Sequence, residues 1–92
     1  MTVTVHIPEP LQKWTKNQAT VEVADVISID DVIDSLEWEH PGIKDKLVEN
    51  GEIRKYLNIF LNDEDIEFMK DEDIRLNDGD SVFIIPSIAG GN

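Results

Sequence analysis

Residues 2–7 alternate strictly, with Val3, Val5 and Ile7 on one face and Thr2, Thr4 and His6 on the other. This is the pattern of a half-buried strand, and Pro8 and Pro10 stop it. Ala19 to Ala24 repeats it with Val21 and Val23 inward and Thr20 and Glu22 outward, which predicts a hairpin partner across a polar connection. Leu11 and Trp14 in that connection are expected to cover one end of the core. At Ser28 the period changes. Ile29, Val32, Ile33 and Leu36 fall at i, i+3, i+4 and i+7, the apolar stripe of an amphipathic helix. Ser28 with Asp31 reads as a cap, and Asp30 and Asp31 suit the positive end of the helix dipole. The helix ends near Glu39, because His40 precedes Pro41 and Gly42 follows. Trp38 is expected to pack at the helix end. A shorter helical piece runs from Ile43 to about Glu49, with Ile43 and Leu47 inward, closed by Asn50 and Gly51.

From Tyr56 the period returns to two. Leu57, Ile59 and Leu61 face in, and Asn58 and Phe60 face out. An acidic turn, Asn62 to Asp65, leads to a short strand at Ile66 to Met69, and Asn77 to Asp80 supplies a second turn. Ser81 to Pro86 is the last strand. Its run Val82, Phe83, Ile84, Ile85 is apolar on both faces, as in a strand with neighbours on either side. The expected fold is α+β: a mixed sheet of four to five strands on one main helix plus a short second helix, with the first and last strands central.

Parity places Phe60 opposite Leu57, Ile59 and Leu61, and places Phe83 and Ile85 opposite Val82 and Ile84. If these two strands are neighbours, Phe60, Phe83 and Ile85 form an apolar patch on the outer sheet face. Such a patch is either a docking surface or a second small core under the connecting loops.

Ninety-two residues allow one domain, 1–86, followed by a tail, 87–92. Twenty acids against eight bases give a net charge of −12. That charge repels nucleic acid and anionic membranes, and it either favours basic protein surfaces or serves solubility alone. There is no cysteine, so disulfides, thiol nucleophiles and thiolate metal sites are excluded. The chain opens on a strand pattern and holds no membrane-length apolar stretch, which predicts a cytoplasmic location.

Other constellations carry less. Setting Gly79 at the sixth position of a calcium loop puts Ile74 first and Ile85 twelfth, both apolar, so Asp71 to Asp80 does not fit that pattern. His6 and His40 fall in different elements and make no metal site. Ser28 and Ser35 read as a cap and a helix surface residue. The sequence Ile88, Ala89, Gly90, Gly91, Asn92 is more informative. A diglycine has no side chain to block approach, so an enzyme can grip it as a thin thread and reach a carboxyl group on it. Asn92 ties the Gly91 carboxyl into an amide.

The segments Leu57 to Phe68 (LNIFLNDEDIEF) and Leu76 to Gly91 (LNDGDSVFIIPSIAGG), with the element order, resemble the ubiquitin-like β-grasp sulfur carriers of the ThiS and MoaD type. The NDEDIEF and VTVHIP segments look most like the CysO-type carriers of cysteine biosynthesis. The resemblance implies a carrier that is not itself an enzyme and binds no cofactor. An E1-like adenylating enzyme, using ATP and magnesium, would activate Gly91, and a sulfur donor would then leave a thiocarboxylate. Gly90 would lie beside Gly91 in the enzyme channel, with Ile88 and Ala89 holding the extended tail. Further expected partners are a metallopeptidase that removes Asn92 and a cysteine-synthase-like or other sulfur-accepting enzyme. Asn92 reads as a processing lock, as an incidental residue, or as the mark of a carrier that has lost its sulfur function. Rival functions are a modifier conjugated to lysines of target proteins, the small subunit of molybdopterin synthase, and a plain interaction module.

Overall fold

A computed structural model describes residues 1–87. Strand β1 (Thr2–His6) pairs antiparallel with β2 (Thr20–Ala24). The register sets Val3 opposite Val23 and Val5 opposite Val21, so the inward valines of both strands share one buried face. The connection between them is more ordered than its polarity suggested. Glu9–Thr15 forms a 3-10 helix with proline in its first turn. Thr15 is fully buried there, and its hydroxyl donates to the Gln18 carbonyl at 2.8 Å. Leu11 and Trp14 pack against the core, as expected.

Helix α1 (Ile29–Glu39) buries Val32, Ile33 and Leu36, three of the four residues in the sequence stripe; Ile29 is partly buried. Ser28 Oγ accepts from the Asp31 N–H at 3.1 Å. In return Asp31 Oδ2 accepts from the Ile27 N–H at 3.0 Å, so two otherwise orphaned donors are satisfied. After Glu39 the chain reverses through Gly42, whose φ of +103° lies in the left-handed region. There the Trp14 ring lies close enough that an added Cβ would sit 2.8 Å from its Cζ3, so glycine is required twice over. Glu37 reaches across the reversal. Its carboxylate accepts from the Gly42 N–H at 3.1 Å and the Lys44 N–H at 2.9 Å, holding the start of the one-turn helix α2 (Lys44–Leu47).

Three local expectations are corrected. The second helix stops at Leu47 rather than near Glu49. Val48–Glu49 (β3) and Glu52–Ile53 (β4) instead form a two-stranded hairpin, with Val48 opposite Ile53. Asn50 and Gly51 are its turn, with φ of +55° and +80°, rather than a helix cap. Two consecutive left-handed residues match the right-handed twist of a hairpin, which is why Asn-Gly is favoured there. The short strand expected at Ile66 to Met69 falls earlier. After β5 (Leu57–Leu61), Asn62 takes a φ of +55° and folds Glu64–Asp65 (β6) back against Leu61 and Phe60. Ile66–Phe68 is then a 3-10 turn, with the Asp65 carboxylate accepting from the Glu67 N–H at 2.9 Å. Finally, Trp38 does not pack at the helix end; it is 86% exposed.

Strand β7 (Ser81–Pro86) runs parallel to β1 and antiparallel to β5. The main sheet has five strands in the order β2-β1-β7-β5-β6, so the first and last long strands are central. Its inner residues, among them Val3, Val5, Ile59, Val82 and Ile84, share one buried cluster with Val32, Ile33, Leu36, Ile43 and Leu47. Leu36, Ile43 and Leu47 are fully buried, and truncating any of them to alanine removes about 2–5 kcal/mol of stability.

Candidate functional site

Strand β7 ends in the residue from which the diglycine segment departs, so its pairing fixes where that segment begins. Against β5 the register is continuous from Leu61 opposite Val82 to Leu57 opposite Pro86. The Ser87 N–H then donates to the Tyr56 carbonyl at 2.6 Å. Against β1 the register ends sooner, at His6 opposite Phe83. Backbone groups alternate sides along a strand, so Ser87 pointing at β5 turns the Pro86 nitrogen to the opposite edge. At that edge the β1 register has ended, and the missing N–H of proline costs no ladder bond. The root of the segment is thus held by β5 beyond the point where the β1 register ends.

The residues Ile88, Ala89, Gly90, Gly91 and Asn92, singled out in the sequence, lie outside the described residues. The three docking candidates lie within them. Phe60 and Phe83 stand directly opposite each other on β5 and β7, and Ile85, opposite Asn58, lies on the same outer face toward the root. Phe60 and Phe83 are half-buried and Ile85 is 38% exposed. Neighbouring strands extend the pairing into one row across the sheet: Thr20, His6, Phe83, Phe60 and Asp65.

His6 is the member that sequence reasoning left out. Its imidazole stacks on Phe83, with centroids 4.1 Å apart and planes 11° from parallel. Parity on β1 already placed His6 outward, and the central position of both terminal strands was the remaining signal. Tyr56, 54% exposed, lies beside the root and was likewise not singled out. The outer face is therefore an aromatic band flanked by polar residues, open to solvent on the side away from α1.

The larger hollows lie on other flanks. One of about 580 Å³ runs between Ile29 and Ile33 of α1 and Val48 and Ile53 of the hairpin. Another of about 630 Å³ opens beside Lys55 and Leu57 under the start of β5. Among the described residues no buried side-chain polar atom lacks a partner. His6 and His40 are far apart in role, one on the outer sheet face and the other buried at the end of α1. No helix among the described residues is long and apolar enough to cross a membrane.

The chain has clear relatives. Residues 5–91 match the ThiS family. The sulfur carrier protein CysO of Mycobacterium tuberculosis (strain ATCC 25618 / H37Rv) is 38% identical over 94 residues, covering 99% of this chain and 100% of CysO. Small archaeal modifier protein 3 of Haloferax volcanii is 35% identical over 69 residues, 75% of each chain. In the crystal structure of the Amycolatopsis orientalis BexX/CysO complex, one chain superposes with a TM-score of 0.85 at 36% identity, over 97% of this chain and 99% of that one. Sequence, sheet order and overall superposition agree, and the chain belongs to the ThiS family, a β-grasp protein of the carrier type rather than an enzyme.

Proposed function

We propose that the protein carries sulfur as a thiocarboxylate on Gly91 and supplies it to the synthesis of cysteine or a related sulfur amino acid. The observation that carries this reading is the full-length likeness to CysO. The family match also runs through Gly91 and leaves Asn92 beyond it. The pairing of β7 adds a physical reason: a central strand paired on both sides carries the chain as far as Ser87, where the segment that leads to Gly91 begins.

Hydrolysis of the Gly91–Asn92 amide by a metallopeptidase comes first, because no free carboxylate exists on Gly91 while that bond stands. The carboxylate then attacks the α-phosphate of ATP, held with magnesium by an E1-like enzyme, and expels pyrophosphate. A sulfur nucleophile displaces AMP and leaves the thiocarboxylate, which a cysteine-synthase-like or other accepting enzyme consumes. Gly90 and Gly91 fit a narrow channel because neither bears a β-carbon. Ile88 and Ala89 supply strand-like backbone bonds to the enzyme. Phe60, Phe83 and Ile85 form the docking face for the adenylating enzyme; that CysO is found in complex with a second protein, BexX, supports a protein partner. The setting is the cytoplasm.

Intact-mass spectrometry of the native protein under sulfur demand tests the reading. The expected species lacks one asparagine residue and has one oxygen exchanged for sulfur. A population that keeps Asn92 and gains no sulfur while the sulfur pathway runs overturns it. The likeness to small archaeal modifier protein 3 favours a second reading, in which the activated Gly91 is joined to lysines of target proteins. High-molecular-weight conjugates that vanish when Gly90 and Gly91 are deleted would select that reading.

A further inference from the structure

Helix α1 packs its apolar stripe on the inner face of the sheet, so its opposite side looks away from the aromatic band. On that side Trp38 is 86% exposed, with no neighbouring ring or cation stacked on it among the contacts of the described residues. Leaving an indole in water forgoes the burial that normally accompanies so large an apolar surface. Beside it is an open hollow of about 310 Å³, lined by Asp25, Val26, Asp31, Asp34, Ser35 and Trp38. Val26 is buried and forms the apolar floor, and three carboxylates stand around it. Two of them are already oriented: Asp31 Oδ2 by the Ile27 N–H, and Asp34 Oδ1 by Lys44 Nζ at 2.9 Å. Asp25 is set by its left-handed backbone, φ +58°, and by its N–H donating to the Met1 carbonyl. Among the described residues no lysine or arginine lines the hollow.

We propose that Trp38 and the carboxylates of Asp25, Asp31 and Asp34 form a second docking site, separate from the aromatic band, for an arginine-bearing basic segment of a partner protein. A guanidinium is flat, so it can lie on the indole face while its fork of N–H donors meets a carboxylate at the edge. The remaining oxygens of Asp25, Asp31 and Asp34 are the acceptors. A second copy of this chain is a poor occupant, because two molecules of charge −12 repel each other. Since α1 and the outer sheet face lie on opposite sides of the fold, this site leaves the root of the diglycine segment free. A partner bound here can therefore hold the protein while another enzyme works at Gly91, or in a setting with no sulfur chemistry at all.

The test uses the full chain, labelled with nitrogen-15 and titrated with hexa-arginine peptide. The expected result is a saturable shift of the Trp38 indole N–H and of amides in residues 25–38. Trp38→Ala is expected to weaken binding about fivefold with an unchanged melting temperature, since the side chain is exposed. Asp25→Asn keeps a residue that tolerates left-handed backbone while removing charge, and is also expected to weaken binding. Hexa-lysine, equal in charge, is expected to bind less tightly. Three results each overturn the proposal: affinity for hexa-arginine unchanged in Trp38→Ala, hexa-lysine binding as tightly as hexa-arginine, or self-association of the free chain that Trp38→Ala abolishes.

Discussion

The imidazole of His6 lies against the ring of Phe83, 4.1 Å between centroids and 11° from parallel, across the parallel pair formed by the first and last long strands. On its other side Phe83 faces Phe60. Phe83 is thus stacked on one neighbouring strand and stands opposite a second aromatic on the other. An aromatic pair of this kind contributes about 0.5–1.5 kcal/mol beyond its buried area. A double-mutant cycle of His6→Ala and Phe83→Leu, followed by urea denaturation, should return a coupling of that size. Additivity within about 0.3 kcal/mol would show that the two rings merely lie side by side.

Phe60 tests whether the aromatic band docks a partner or serves as a small outer core. It is partly buried on the outer face of a strand with neighbours on both sides, so Phe60→Glu should cost roughly 1–2 kcal/mol of stability. If the band is the docking face, the same change weakens binding to the adenylating enzyme about tenfold or more, as for an interface aromatic. Binding can be measured calorimetrically with the purified pair. A loss of several kcal/mol in folding with unchanged docking would assign the ring to packing instead.

The long elements were legible because one physical rule dominates each. Val3, Val5, Val21 and Val23 alternate, and the sheet buries all four. The stripe Ile29, Val32, Ile33, Leu36 lies on the core side of α1. The two apolar faces of β7 reported its central place. Where two rules competed, the reading failed. Asn50-Gly51 signals both a helix end and a two-residue hairpin, and the β-branched Val48 and Ile53 on either side decided for the hairpin. Trp38 was expected to pack at the helix end and does not. At 100° per residue it stands about 200° from Leu36, which already placed it away from the core. Phe68, 84% exposed, lies in the 3-10 turn that stands where a strand was expected. At the candidate site, parity alone assigned Phe60, Phe83 and Ile85 to one face; the stack with His6 required the pairing of β1 with β7, which no local pattern encodes. The expectations for Ile88 to Asn92 rest on residue chemistry and resemblance, and these residues lie outside the described ones.

Lys44 gives a pH dependence. Its ammonium donates to Asp34 Oδ1 at 2.9 Å, and that hydrogen bond, with the Asp34 charge, raises its pKa above the ordinary lysine value. Glu37 and Asp30 add smaller upward pulls, against a small desolvation effect in the other direction. A raised pKa in the folded state means a contribution fully present below the unfolded lysine value, about 10.4, and lost as pH rises through the higher folded value. The pair is solvent-exposed, so the contribution is small and screened by salt. Nitrogen-15 NMR titration of the Lys44 side chain should place its midpoint above the ordinary lysine value, and Asp34→Asn should bring it down. An unmoved midpoint in Asp34→Asn would remove the ion pair as the cause.

The two glycines at the reversals beside α2 separate backbone strain from steric clash. Gly51 has φ +80° with no atom within 4 Å of an added Cβ, whereas Gly42 has φ +103° and the Trp14 ring at 2.8 Å. Alanine at either site carries the left-handed backbone penalty, roughly 1–2 kcal/mol. Alanine at Gly42 must also displace the Trp14 ring or shift its own backbone, which adds roughly 1–3 kcal/mol, the cost of overpacking. The ring is not free to swing: it packs on the core, and Lys46 Nζ sits 5.2 Å from its centroid in a cation–π contact. Urea denaturation should therefore show Gly42→Ala clearly less stable than Gly51→Ala. Adding Trp14→Ala should close the gap, because the clash no longer exists in that background and only the backbone penalty remains. Equal losses in the two single variants would mean that Trp14 yields to the methyl group at no cost.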